Sequence, residues 1–216
     1  MDWNINTSQI SYLKRKLIHW SKYNYFDYPW RNGRNRIYSL IAEVLLQRTQ
    51  ADQVVPVYEK LESLYPFIDY SHIPSIEEIE EIIKPLGLPK RAILINQIFR
   101  EYVLSDGVFP DNKEILRQMK GIGQYTASAY FSLYDNKRNI IVDKNISRLY
   151  QRFFGLTLNS ELRNDKKLFY IGDSLTPKKH FRDFNFCLID FSRTICNNSP
   201  KHQDCPIRRK CYMVRG

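Results

Sequence analysis

Leu116-Arg-Gln-Met119-Lys-Gly121-Ile-Gly123-Gln-Tyr125-Thr126-Ala127, followed by Ile140-Ile-Val142-Asp143-Lys-Asn145, is the stretch on which the fold turns. A helix over about Asn112 to Met119 stops at Lys120, and Gly121 and Gly123 then permit a hairpin turn that a Cβ would strain. A second helix starts at Gln124 and carries Ala127, Tyr130, Phe131 and Tyr134 at helical spacing. Such a turn leaves free backbone N–H groups at a helix N-terminus, where an anion is welcome. The chain has 33 Lys and Arg against 23 Asp and Glu, a net charge of +10, so the anion expected is a DNA phosphate. Asp143 follows a strand-like Ile140-Ile141-Val142 and stands where it can cap the next helix. Taken singly, these are a common turn and a common cap; their combination is far more specific.

Outward from that stretch, the bulk numbers bound the answer. A length of 216 residues suits one domain or two small ones. Hydrophobic residues at 43% make the chain globular, and with only 8 glycines and helical periodicity throughout it reads as all-α. No apolar run is long enough to span a membrane, and Met1 to Ile10 lacks a signal-peptide pattern. The expectation is therefore no membrane partner and a cytoplasmic setting, nucleoid-associated if prokaryotic. Residues 7–25 form an amphipathic helix with Leu13, Leu17 and Trp20 on one face, broken by Tyr28-Pro29-Trp30-Arg31. Residues 37–50 carry an apolar helical stripe of Leu40, Ile41, Val44 and Leu45, interrupted by Glu43. An acid there costs free energy unless paired or wet, which favours its protonated form and makes it a candidate proton donor; the alternative is a Glu at the helix edge reaching solvent. Further helices cover 54–64, 76–83 and 92–104, with Glu77, Glu78, Glu80 and Glu81 as a solvated face. Lys90 and Arg91 lie at a helix start, where cations oppose the macrodipole, so an external anion is expected nearby. Residues 144–175 read as helical, and residues 181–191 lead into the cysteines.

The pattern Leu116-x-x-Met119-x-Gly121-Ile122-Gly123-x-Tyr125-Thr126-Ala127 with Val142-Asp143-x-Asn145 resembles the helix-hairpin-helix DNA glycosylase superfamily that includes endonuclease III and the adenine glycosylase MutY. The resemblance runs from Pro29 to Cys211. It implies an all-α, two-lobed fold with a cleft between the lobes. Residues 29–139 would form a six-helix barrel lobe holding the helix-hairpin-helix. Residues 1–28 and 140–216 would form a terminal lobe holding the cysteine cluster. Asp143 becomes the catalytic carboxylate, and the segment Glu43-Val-Leu-Leu-Gln47 makes Glu43 the catalytic acid. Bifunctional relatives place a lysine nucleophile where this chain has Tyr125, which implies a monofunctional enzyme in which Tyr125 stacks on or bonds to the flipped nucleotide. For DNA, the resemblance implies Gly121, Gly123 and Thr126 at the hairpin, with a monovalent cation there. It adds Gln47, Arg48 and Thr49 on a wedge loop, Lys90 at the basic turn, and Arg31 against a phosphate. The partner would be double-stranded DNA carrying a mismatch, bound by a monomer.

Which base is excised is read from finer differences. Arg48-Thr49 resembles the thymine–guanine mismatch glycosylases, whereas Gln47 and Gln50 resemble MutY. MutY enzymes also tend to have Val-Asp-Gly-Asn, where Lys144 stands here, and to carry a further C-terminal domain beyond a point equivalent to Gly216. The expected substrate is thymine or uracil opposite guanine, and the alternative is adenine opposite guanine or 8-oxoguanine. Two other classes, a non-catalytic DNA-binding hairpin module and a zinc-binding regulator, each explain only part of the pattern.

All four cysteines, Cys187, Cys196, Cys205 and Cys211, lie near the C-terminal end, a clustering that suggests a metal site over disulfides. The endonuclease III loop that holds a [4Fe–4S] cluster has the pattern C-x6-C-x2-C-x5-C. Here Cys205 and Cys211 fit the last pair and Cys196 fits the first with one residue missing, while His202 stands three before Cys205. Three accounts stay open: a [4Fe–4S] cluster with His202 as the fourth ligand, a cluster with three protein ligands, or zinc bound by Cys196, His202, Cys205 and Cys211. Cys187 is expected to be a core thiol.

Overall fold

The structure is a computed structural model that describes residues 5–32, 35–157 and 165–215. Residues 1–4, 33–34, 158–164 and 216 lie outside it, and with them part of the helix expected over 144–175 and part of the Met1–Ile10 segment. Every regular element among the described residues is helical, as the periodicity implied. The chain divides into two compact units, residues 27–135 and residues 1–26 with 136–216.

The first unit is organised on α2 (Arg36–Leu45), which packs on α3 (Ala51–Leu64), α5 (Arg91–Leu104) and α7 (Gln124–Leu133). Asn35 caps it by accepting from the Ile37 N–H at 3.2 Å. Leu40, Ile41, Val44 and Leu45 are fully buried, each worth about 1.5–3 kcal/mol in removal from water. Every residue from Ile37 to Leu45 is buried, so the helix has no solvated face beyond Arg36. α4 (Ile76–Ile83) shows its glutamates to solvent, as expected, but Glu78 has a second task. It accepts from the Ser75 N–H at 2.7 Å while Ser75 accepts from the Glu78 N–H at 3.1 Å, closing a capping box.

The second unit joins α1 (Thr7–Ser21) to α8 (Lys144–Phe154), α9 (Lys166–Leu175), α10 (Phe181–Thr194) and α11 (Tyr212–Arg215). Ile10, Leu13 and Leu17 bury the inner face of α1, and the Trp20 ring meets Phe191 edge-on at 5.2 Å. Cys187 donates to the Leu17 carbonyl at 3.1 Å. Burial pushes its thiol up to about 12, in keeping with an inert core thiol.

Two expectations need correcting. The helix over 144–175 is two helices, because Gly155 ends α8 in the left-handed region at φ +70°. A Cβ there would also strike the Tyr212 ring at 2.6 Å, so both backbone and space call for glycine. Ile140-Ile141-Val142 forms no strand; Ile141 is buried, and Ile140 and Val142 lie against Gly172 of α9. Gly172 of α9 admits that segment, since a Cβ there would overlap the Ile140 side chain.

Candidate active site

The hairpin belongs to the first unit. α6 is short (Lys113–Leu116), capped by Asn112 on the Glu114 N–H at 2.8 Å, and turns replace the rest of the expected helix up to Lys120. The Ile122 N–H closes the bend on the Met119 carbonyl at 3.0 Å. Gly121 has φ +91°, and a Cβ on it would lie 2.6 Å from Leu94 Cδ2, so this position requires glycine. Gly123 is different: it is the N-cap of α7 at φ −86° with open space where a Cβ would be. Its lack of a side chain leaves the first N–H groups of α7 without a side-chain cap, and Lys120, three residues earlier, is exposed.

The turn after α2 carries the expected wedge residues. Arg48 is exposed and held at φ +60°, a left-handed conformation unusual for a side chain of its size. Arg91 supports that turn from below. It is buried, and its guanidinium donates to the Leu45 carbonyl and to Thr49 Oγ1, each at 2.8 Å. Burial, then the neighbouring Arg48 charge, lowers its pKa. The two cations at the start of α5 therefore have different fates, since Lys90 is exposed and Arg91 is spent on the loop. Gln47 donates to Thr126 Oγ1 at 3.4 Å, which joins the wedge turn to the first turn of α7. Thr126 is buried and Thr49 half-buried. Arg31 is 3% exposed with its guanidinium 5.2 Å from the Tyr28 ring centre, so a phosphate contact there would need a rearrangement.

Glu43 lies within this unit at 5% exposure rather than at a wet helix edge. The Tyr134 hydroxyl donates to its Oε1 at 3.0 Å. Tyr125, one residue into α7, is half-buried.

Asp143 belongs to the second unit and is the N-cap of α8, as expected. Its Oδ1 accepts from the Ile146 N–H at 2.7 Å and its Oδ2 accepts from Asn145 Nδ2 at 3.0 Å. Burial raises its pKa above the ordinary carboxylate value, opposed by those two donors and by Arg148. Residues that sequence reading missed fix the approach to it. Arg138 donates to the Thr176 carbonyl at 2.9 Å and to Asp173 Oδ1 at 2.7 Å, and Asn185 donates to the Asn139 carbonyl at 3.1 Å. Isolated polar residues of this kind carry no periodic signal, so only the packed chain reveals them.

Cys196, His202, Cys205 and Cys211 line one small cavity in the same unit. Burial pushes the Cys205 thiol up to about 11, against backbone hydrogen bonds that lower it. Arg148 donates to the Cys196 carbonyl at 2.9 Å, and Arg152 reaches Cys196 Sγ at 3.8 Å and the Asn197 carbonyl at 2.5 Å. Among the described residues, however, no three His, Cys, Asp or Glu side chains converge on a point where one ion would bind.

A profile of the HhH-GPD superfamily of base excision DNA repair proteins matches residues 41–169, a span that includes the hairpin, Glu43 and Asp143. The chain belongs to that superfamily. It is an enzyme of base excision, a DNA glycosylase, with DNA as its partner. A thymine/uracil-DNA glycosylase of Methanothermobacter thermautotrophicus is 35% identical over 190 residues, covering 86% of this chain and 85% of its own length. An adenine DNA glycosylase of Buchnera aphidicola subsp. Baizongia pistaciae is 31% identical over 85% of this chain but only 52% of its own length. A solved thermostable thymine-DNA glycosylase superposes with a TM-score of 0.86 at 30% identity, covering 96% of this chain and 97% of its own. A solved endonuclease III trapped on DNA shares the fold, with a TM-score of 0.83 at 22% identity.

Proposed function

We propose that this glycosylase is monofunctional and removes thymine or uracil opposite guanine. The observation that carries the reading is the 35% identity with a thymine/uracil-DNA glycosylase along most of both chains. The exposed Arg48 supports it, since a guanidinium can fill the space of an extruded base and donate to the O6 and N7 of the guanine left behind. In the reaction the base–C1′ bond breaks, its electron pair leaves with the base, and water adds at C1′. Asp143 stabilises the positive charge that develops on the sugar and accepts the proton of the attacking water. Glu43 donates a proton to the departing base, and Tyr125 packs against the flipped nucleotide. With Tyr125 where a nucleophilic lysine would stand, no amine forms a Schiff base at that position.

The α7 amides at Gly123 to Thr126, with Gly121 shaping the bend and Lys120 beside it, hold a backbone phosphate, and the hairpin would also take a monovalent cation. Gln47, Arg48, Thr49 and Lys90 complete the DNA-facing set in a protein that acts as a monomer on mismatched duplex. Cys196, Cys205, Cys211 and His202 would hold a [4Fe–4S] cluster, which would serve as a structural cross-link of the loop from 196 to 211. Lys201, Arg208 and Arg209 on that loop are exposed and face the strand in this reading.

A panel of duplexes containing T·G, U·G, A·G and A·8-oxoguanine tests the substrate. Release of thymine or uracil with adenine left intact is expected, and release of adenine alone overturns the reading. Metal analysis with a visible absorption spectrum tests the cluster, which colourless protein holding stoichiometric zinc would rule out.

A further inference from the structure

The C-terminal end of α7 grips α2 at two points. Asp135 Oδ1 pairs with Arg36 Nη1 at 2.8 Å, and one residue earlier the Tyr134 hydroxyl donates to Glu43 Oε1 at 3.0 Å. Arg36 and Glu43 are seven residues apart on α2, two turns, and so lie on the same face. The first contact is an ion pair that docks the helix end. The second reaches an acid set among fully buried Ile41, Ala42, Val44 and Leu45, a setting in which an unsatisfied carboxyl oxygen is costly.

From this geometry we infer that Tyr134 is a positioning residue for the proton donor. Its hydroxyl fixes Oε1 of Glu43 and stabilises the carboxylate that appears as the proton departs toward the leaving base. The inference rests on Glu43 acting as the acid. Tyr134 suits the task because it remains a phenol. Desolvation of its hydroxyl end, and then Glu43 itself, raises its ionisation well above the ordinary value; Tyr125 adds to this and Arg31 opposes it. The proton that moves belongs to Glu43. It passes to the base as the base–C1′ bond breaks, and Tyr134 keeps its own throughout.

The test uses Tyr134→Phe, which keeps the ring and, through Arg36–Asp135, the docking of α7. Single-turnover release is measured from U·G and from 5-fluorouracil opposite guanine, whose fluorine stabilises the departing base and lessens its need for an acid. The variant is expected to fold and to bind duplex with unchanged affinity, but to melt below the wild type because it loses the donor to a buried carboxyl oxygen. It should release uracil about ten- to a hundredfold more slowly, the worth of a hydrogen bond to a developing charge. It should release 5-fluorouracil within about threefold of the wild type, because a weaker demand for acid leaves less of that hydrogen bond to lose. In a Glu43→Gln background the same substitution should add little, since the two act as one unit. Equal slowing of both substrates, or no slowing of either, makes Tyr134 a structural tie only and overturns the inference while the pyrimidine reading stands. A wild-type enzyme that releases neither pyrimidine overturns that reading and this inference with it.

Discussion

Replacing Asp143 by Asn and by Ala separates the two tasks assigned to one carboxylate. As an N-cap, its Oδ1 holds the Ile146 N–H at 2.7 Å and its Oδ2 holds Asn145 at 3.0 Å. Asn caps about as well as Asp, whereas Ala costs typically about 1 kcal/mol, and losing the Asn145 bond adds about another 1 kcal/mol. Asp143→Ala should therefore lose about 1–2 kcal/mol, which in a chain of this size lowers the melting temperature by about 2–8 °C. Asp143→Asn should stay within about 0.5 kcal/mol of the wild type or exceed it at neutral pH, because the wild type bears the cost of a desolvated charge. The sign reverses with acid. The folded pKa is raised, so the stabilising part of this group is complete below the ordinary Asp value and is lost as pH rises through the folded value. Acidification should thus favour the wild type over the Asn variant. Activity follows chemistry rather than stability. Both variants should lose about 10²–10³-fold or more in single-turnover rate, the scale of removing one preorganised electrostatic partner. The acid limb of the wild-type pH–rate profile should lie above the ordinary Asp range, since only the carboxylate works. Thermal melts at neutral and acid pH, paired with single-turnover release from U·G, measure all of this. An Asn variant with wild-type rate would refute the catalytic role, and an Ala variant of undiminished stability would refute the cap.

The hairpin glycines should respond unequally. Gly121→Ala meets both a positive φ and Leu94 and should cost about 1–3 kcal/mol with a loss of DNA affinity, while Gly123→Ala should change stability by less than about 0.5 kcal/mol in the same denaturation series. Binding to duplex should weaken with salt, and if about four to six phosphates are contacted, log affinity against log salt should slope about −4 to −5; a flat line would deny the electrostatic footprint. Borohydride should trap little covalent DNA adduct with the wild type, and trapping in good yield would show that another amine replaces the one absent at Tyr125.

The all-helical class, the hairpin and the cap at Asp143 could be read directly, because each is a local pattern. Helical spacing, a glycine at a bend and an acid before a helix act within a few residues of themselves. Packing decided the rest. Glu43 looked like either a buried acid or an edge residue until α7 brought Tyr134 to its Oε1 across a sequence separation of 91. Arg91 looked like half of a basic helix start until its guanidinium turned inward beneath Arg48. Ile140-Ile141-Val142 had the composition of a strand, yet a strand needs a partner edge, and Gly172 offered that segment a helix surface instead. Hydrogen-bond partners distant in sequence leave no periodic trace, so the chain alone determined which elements form, and only the folded units decided which side chains meet.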